Sequence, residues 1–523
     1  MTRISERQDV EERIEQAEVI AFLSDATNYD ETGDVKRIDT HISHVFLVGD
    51  QAYKLKRAVK MEYVDFSTIQ KRRDACQKEL ELNRRTAPEI YQEVRSINLT
   101  VDGKIGFEAG EPVDWLVVMR RFDADGLLEA VAERGELSML LVTKLADTIA
   151  SFHQSITPRF NSDGHSKVVE VIDENRKCMS QFVSDIFAQP DVEDLYQQSK
   201  ERLSGLTSLL DHRALEGHIR HCHGDLHLAN ICIWKGEPTL FDCLEFSEEL
   251  ATTDTLYDVA FLLMDIWHRG LHIQASELFN RYLYMSEGAE GLATLPLFLS
   301  MRAAIRAHIT ASQAQLQADS QKRLQLIEKA KAYAETALQF LRQSSPQLLA
   351  VGGLSGTGKS TLARALAPSF GAPIGAHLLR TDILRKRLFG VTPETHLDEQ
   401  AYTRDQSARV YALLLQEVEQ ALQAGWTVIA DGVFADEKER QQIAALAESH
   451  NVPFTGIWLE APLEKLCERV DQRTADASDA DSGIVQRQSR YDIGDLKDWT
   501  IVNSSGGPEQ VADEVRVLLG RPD

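Results

Sequence analysis

Cysteine is scarce and scattered. The six residues (Cys76, Cys178, Cys222, Cys232, Cys243 and Cys467) form no Cys-x-x-Cys pair, which argues against zinc and against a disulfide framework and favours reduced, mostly buried thiols. Long apolar runs are missing too. None reaches the ~20 residues a helix needs to span a bilayer, and the first ten residues carry no apolar signal core. A cytoplasmic location without membrane attachment is therefore expected. Positive charge is in deficit, with 57 Lys and Arg against 81 Asp and Glu, a net charge of −24. That balance argues against a broad nucleic-acid or anionic-membrane surface and still leaves room for a small basic pocket. No fixed-period repeat is present. The one biased tract, Thr474 to Ser482, is rich in Ala, Asp and Ser and reads as a mobile loop.

What remains is an ordinary soluble composition, 43% hydrophobic and 26% charged over 523 residues. That length suggests about three units of ~150 residues. Val10 to Leu23 has helical spacing. Val45 to Val48 reads as a strand, Gly49-Asp50 as a two-residue turn and Gln51 to Leu55 as the return strand. Thr68 to Arg85 is helical, Val94 to Phe107 is a second hairpin turning at Asp102-Gly103, and Trp115 to Met119 is a buried strand. Helices dominate from Leu137, and Ser312 to Leu341, free of Pro and Gly, reads as one closing helix. Gln343 to Pro346 marks a boundary. Beyond it, apolar strands near Leu348, His377, Trp426, Thr455 and Ile501 alternate with helices, which implies a mostly parallel sheet. The expected domains are 1–343 and 344–523.

Two phosphate-handling patterns stand out, one in each domain. Gly353-Leu-Ser-Gly-Thr-Gly-Lys-Ser360 has a glycine, four residues, then Gly-Lys-Ser, the Walker A P-loop spacing. An apolar strand precedes it and a helix follows. Gly353, Ser355, Gly356, Thr357, Gly358, Lys359, Ser360 and Thr361 are the candidate ATP ligands. Backbone N–H groups and the helix N-terminus would cradle the phosphates, Lys359 would reach them, and Ser360 would hold Mg2+. The second pattern is His223-Gly-Asp-Leu-His-Leu-Ala-Asn230 ahead of Phe241-Asp-Cys-Leu-Glu245. Phosphoryl transfer needs metal ligands, a phosphate clamp and a base beside the acceptor hydroxyl.

This second set resembles the aminoglycoside phosphotransferase and choline kinase family, over roughly residues 10 to 340. The later Asp254-Thr-Leu-Tyr-Asp258 is similar to that family's structural motif. The resemblance implies an α+β bilobal protein-kinase-like domain that uses ATP and Mg2+. It makes Asp225 the catalytic base and Asn230 and Asp242 the metal ligands, with His223 bracing the loop. Lys54 is the phosphate-clamping lysine, with Lys56, two residues on, as its rival. Its partner is Glu79 or Glu81, with Glu79 favoured. No glycine-rich loop precedes that strand; Thr40 to His44 stands there.

The second domain is similar to the zeta-toxin, gluconate-kinase and chloramphenicol-phosphotransferase group of P-loop kinases, an α/β fold with helices on both faces of the sheet. By that resemblance Asp382 takes or orients the acceptor proton, Arg380 and Arg385 bind substrate, and Arg469 and Arg473 close over the nucleotide. Asp431, at a strand end, is a metal-water or substrate contact or a structural turn. The sensor and finger elements of a mechanical AAA+ ATPase are not found. The expected function is a bifunctional ATP-dependent phosphotransferase, each domain phosphorylating a hydroxyl of a small molecule. The alternative is a non-catalytic kinase-like module fused to an active P-loop small-molecule or nucleic-acid end kinase. Neither acceptor, nor the oligomeric state, is set by these motifs.

Overall fold

A computed structural model describes residues 15–29, 34–61, 64–160, 163–286, 288–472 and 477–520. The chain divides into two compact units. The first comprises residues 1–161 and 214–262, and the second comprises 162–213 and 263–523. The boundary does not follow the linear order: the helices beyond residue 262 belong with the P-loop sheet rather than with the strands before them.

The first unit is built on a six-stranded antiparallel sheet in the order β1-β2-β3-β6-β4-β5. The strands are β1 (Lys36–Asp39), β2 (Ser43–Val48), β3 (Gln51–Lys56), β4 (Tyr91–Leu99), β5 (Ile105–Gly106) and β6 (Glu111–Arg120). β2 and β3 form the expected hairpin, with Val48 opposite Gln51 and Gly49 at φ 50°. One sheet face packs Phe46, Leu55, Ile97 and Leu116 against Val19 and Leu23 of the helix Gln16–Ser24. The expected helix start near Val10 lies outside the described residues.

The helix Ile69–Asn83 is capped by the Thr68 side chain, which accepts from the Lys71 N–H. Of its six buried positions, Arg72, Cys76, Glu79, Leu80 and Asn83 recur with helical period on one face, and Leu82 is the sixth. Further on come β7 (Ile219–His221), β8 (Ile231–Trp234), β9 (Glu237–Leu240) and β10 (Thr252–Asp254), which pair β7 with β10 and β8 with β9.

In the second unit the five remaining strands are all parallel. They are β11 (Leu348–Gly353), β12 (His377–Arg380), β13 (Val428–Asp431), β14 (Phe454–Glu460) and β15 (Trp499–Asn503), ordered β12-β13-β11-β14-β15. Leu349 and Val351 point to a core shared with the helices Lys359–Leu366 and Pro508–Leu518. Leu348 and Ala350, of opposite parity, face the other side, so both faces are buried, as a parallel sheet requires.

One expectation fails here. The single helix from Ser312 to Leu341 is two, Leu295–Leu316 and Ser320–Leu341. Asp319 breaks it, because its carboxylate accepts from the N–H groups of Gln321 and Lys322 and starts a new helix.

Candidate active sites

In the first unit, β3 places Lys54 and Lys56 on one buried face. The Lys54 ammonium lies 2.7 Å from Glu79 Oε1 and 2.5 Å from Asp242 Oδ1. Lys56 lies 2.5 Å from Glu79 Oε2 and also pairs with Glu245. Two lysines and three carboxylates thus form one network. Helical geometry separates Glu79 from Glu81: two residues apart is about half a turn, so Glu79 is buried while the Glu81 side chain is 66% exposed. Burial opposes the charge on Lys54, but Asp242 and Glu79 outweigh it and hold the ammonium well above its usual range. Burial also opposes the charge on Glu79, but Lys54 and Lys56 outweigh it and lower its pKa to about 2. For Glu245 burial wins and the pKa is raised.

Asp225 follows Gly224, whose φ of 82° suits glycine; a Cβ there would lie 2.9 Å from Leu244. The Asn230 amide donates to the Asp225 backbone carbonyl and to Oδ2, both at 2.9 Å. That spends Nδ2 and leaves Asn230 Oδ1 to act as an acceptor. Asp258 anchors the loop by accepting from the N–H groups of His223 (3.2 Å) and Gly224 (2.8 Å), with His153 Nε2 at 3.1 Å. His223 Nε2 meets the Phe241 carbonyl at 3.0 Å, which ties this loop to the Asp242 loop. Asp242 has φ 57°, unusual for a residue with a Cβ. Its N–H donates to the Tyr91 hydroxyl, and the next N–H donates to Asn83 Oδ1.

In the second unit, Gly353, Gly356 and Gly358 all have positive φ (137°, 86° and 89°). Added Cβ atoms would meet the Leu459 carbonyl at 2.6 Å (Gly353) and the Leu466 carbonyl at 2.6 Å (Gly356). The Ser355 N–H donates to Gln488 Oε1 and the Thr357 hydroxyl to the Leu354 carbonyl. Lys359 Nζ donates to the Leu354 carbonyl at 3.0 Å. The Ser360 hydroxyl donates to Asp431 Oδ2 at 2.5 Å. Thr361 lies one residue further along the same helix.

Arg380 does not reach away from the loop. Its Nη2 donates to Ser360 Oγ at 3.0 Å and its Nε faces Asp431 Oδ2 at 3.3 Å. Burial raises the pKa of Asp382, with the charge of Asp431 adding to the rise and those of Arg380 and Lys359 opposing it. Arg385 donates to the Ala401 carbonyl and stacks 4.6 Å over the Tyr402 ring. Arg469 spans the carbonyls of Gly356, Ser504 and Gly506, a clasp on the P-loop backbone where a lid over the phosphates was expected. Arg473 lies outside the described residues.

Two features escaped sequence reading. One is the Lys56–Glu245 pair, concealed because the Glu lies 189 positions away. The other is Asp479. It binds Lys386 Nζ at 2.5 Å, the Tyr402 hydroxyl at 2.5 Å, His396 Nδ1 at 3.1 Å and the Leu397 N–H at 3.1 Å. The tract expected to be a mobile loop is therefore tethered over its described part.

The profile of the Phosphotransferase enzyme family matches residues 78–295, and one described as AAA domain matches 348–491. An uncharacterised protein of Mycobacterium tuberculosis, Rv2004c, is 30% identical over 467 residues, covering 87% of this chain and 90% of its own. This chain belongs to the same family. Its two kinase-type regions make it a phosphotransferase. Among solved structures, a choline/ethanolamine kinase family protein from Mesorhizobium loti is 16% identical and covers 62% of this chain and 99% of its own, with a TM-score of 0.39. A gluconokinase from Sinorhizobium meliloti is 20% identical and covers 34% and 94%, with a TM-score of 0.26. No helix among the described residues is long and apolar enough to cross a membrane.

Proposed function

We infer that both kinase-type regions are catalytic, and that each transfers the γ-phosphate of ATP to a hydroxyl of a small molecule. The observation that carries the reading is the paired wiring of the first site. Lys54 lies between Glu79 and Asp242, while Asn230 holds Asp225 by its Oδ2. In this reading Lys54 grips the nucleotide phosphates and Asp225 takes the acceptor's hydroxyl proton. The acceptor oxygen bonds to the γ-phosphorus as the bond from that phosphorus to the β-phosphate oxygen breaks, and ADP leaves.

The donor sets are hard oxygens, Asn230 Oδ1 with Asp242 in one site and Ser360 with Asp431 in the other, which suits Mg2+. Bound there, Mg2+ would neutralise phosphate charge. In the second site Lys359 and the P-loop amides hold phosphate, and Asp382, beside Lys359 and Asp431, receives the acceptor proton. Arg385 borders the acceptor. Arg469, with Arg473, serves the nucleotide side. We assign the two functions to residues 1–343 and 344–523.

The test is phosphorylation profiling of hydroxylated metabolites and aminoglycosides with the parent, Asp225→Asn and Lys359→Ala proteins. Two product sets, each lost in one variant, are expected. Products lost only in Lys359→Ala would reduce the first region to a non-catalytic module.

A further inference from the structure

The loop from Asp242 to Glu245 is tied down residue by residue. The Asp242 N–H donates to the hydroxyl of Tyr91, on β4, at 3.2 Å. The Cys243 N–H donates to Asn83 Oδ1, at the end of the helix Ile69–Asn83, at 2.9 Å. The Leu244 N–H donates to the His223 carbonyl at 2.9 Å. Glu245 completes the series through its side chain, which meets the ammonium of Lys56 on β3. All these residues belong to the first compact unit.

Asp242 needs such support. Its φ of 57° lies in the left-handed region, which a Cβ disfavours, so the surroundings must hold it there. Its carboxylate faces Lys54 at 2.5 Å. In the reading above, that carboxylate goes to Mg2+ and Lys54 goes to the nucleotide phosphates. Their mutual contact is then not available to fix the loop in the loaded site. The Lys56–Glu245 pair draws on neither group. Its side chains are 0% and 5% exposed, whereas Lys54 is 10% and Asp242 40% exposed. Lys56 also lies 2.5 Å from Glu79 Oε2, so Glu79 keeps a cation when Lys54 turns to phosphate. The same enclosure removes Lys56 as a second phosphate ligand: two buried carboxylates already surround its ammonium.

We propose that Lys56 and Glu245 are positioning residues of the first site. Their ion pair fastens the Asp242 loop to β3, sets the Asp242 carboxylate for the metal and leaves Lys54 free for the nucleotide. The inference rests on the reading of Asp242 as a metal ligand and Lys54 as the phosphate lysine. Cutting the pair should therefore cost the site its metal before its nucleotide.

The test is Mn2+ binding in the presence of ADP, read by electron paramagnetic resonance. It uses the full chain, with Lys359→Ala and Ser360→Ala present throughout to disarm the second site. Loss in Asp242→Asn defines the binding that belongs to the first site. That binding should weaken by about 10–100-fold in Glu245→Leu and in Lys56→Met, the usual cost of losing a group that orients a metal ligand. Glu245→Gln, which keeps an oxygen to accept from Lys56, should restore it to within threefold of the parent. Glu245→Leu combined with Lys56→Met should be no weaker than either alone, since both cut one tie. Affinity for metal-free ADP, measured by calorimetry, should stay within threefold in every one of these variants. A general collapse of the site would lower it in step with the metal. Mn2+ binding that needs Asp242 but ignores Lys56 and Glu245 would overturn this proposal alone. So would additive losses in the double variant, or ADP lost alongside Mn2+. Mn2+ binding untouched by Asp242→Asn would overturn the metal reading of the first site, and this inference with it.

Discussion

The two candidate phosphate sites answer the same electrostatic problem with different materials. The first uses side-chain charge, with Lys54 and Lys56 shared among Glu79, Asp242 and Glu245. The second uses backbone, with three glycines at positive φ that turn the chain around the proposed phosphate position. Side-chain charge buried in this way is costly to interrupt. A backbone cradle carries little titratable charge and is broken by added volume. The sites should therefore fail in different ways.

The largest expected effect separates them outright. Asp225→Asn should lower the first activity by about 10²–10⁴-fold, the usual worth of a positioned base. Lys359→Ala should lower the second by about 10²–10³-fold, the scale for losing one preorganised charge donor. Each variant should leave the other product set within twofold in steady-state rates. A variant that silences both would show that the sites act as one.

Next in size is the ion network. Glu79→Gln leaves two buried ammonium groups short of a carboxylate, and loss of one partner from a buried network costs about 3–5 kcal/mol. Denaturant unfolding followed by a probe in the first unit should show that loss. The second unit's transition should stay in place.

Volume is the matching attack on the P-loop. Gly356 and Gly103 share a left-handed backbone, at φ 86° and 72°. An added Cβ at Gly103 meets nothing within 4 Å, whereas at Gly356 it lies 2.6 Å from the Leu466 carbonyl. Gly103→Ala should cost about 1 kcal/mol from backbone strain alone. Gly356→Ala should cost more and also lower nucleotide affinity at least tenfold by calorimetry. Equal costs at the two positions would show that the loop shifts freely.

These differences also explain what was legible in the residues. The P-loop reads locally because its function resides in eight consecutive positions, and the strand before it and the helix after it are equally local. Lys54 and Asp242 are 188 positions apart, and only their resemblance to a known pattern links them. Glu79 was favoured over Glu81, and burial agrees: Glu79 is buried while the Glu81 side chain is 66% exposed. Lys56 read as a rival to Lys54, yet both enter one network, because β3 presents both to the same buried face and Glu79 offers two oxygens. Asp319 inside a Pro- and Gly-free tract was invisible as a helix start, since one capping carboxylate looks like any solvated charge. Asp479 sits in a tract whose composition suggests mobility, and its four partners come from a different stretch of chain. Arg380 precedes Asp382, proposed to face the acceptor, by two residues, but β12 ends there and turns it toward Ser360 and Asp431 instead.

The smallest effect is a difference in the sign of pH dependence. Lys54 and Lys56 overcome burial and lower the Glu79 pKa to about 2 from an ordinary 4.5. Its contribution is therefore full above about pH 4.5 and lost as pH falls toward 2. Glu439 in the second unit behaves oppositely: burial raises its pKa to about 7 against the lowering effect of its hydrogen bond with Tyr411. A raised carboxyl favours the folded state fully below its ordinary 4.5, and that advantage disappears as pH rises through about 7. Glu439→Gln should therefore increase amide-exchange protection of the helix Glu437–Ser449 at pH 8, after correction for intrinsic rates, and change little at pH 5. Protection of the helix Ile69–Asn83 should be insensitive to that substitution at both values and should drop between pH 5 and pH 3 in the parent protein. A Glu439→Gln effect of equal size at pH 5 and pH 8 would mean that the side chain acts through packing, and the opposed pH responses of the two units would then need another carrier.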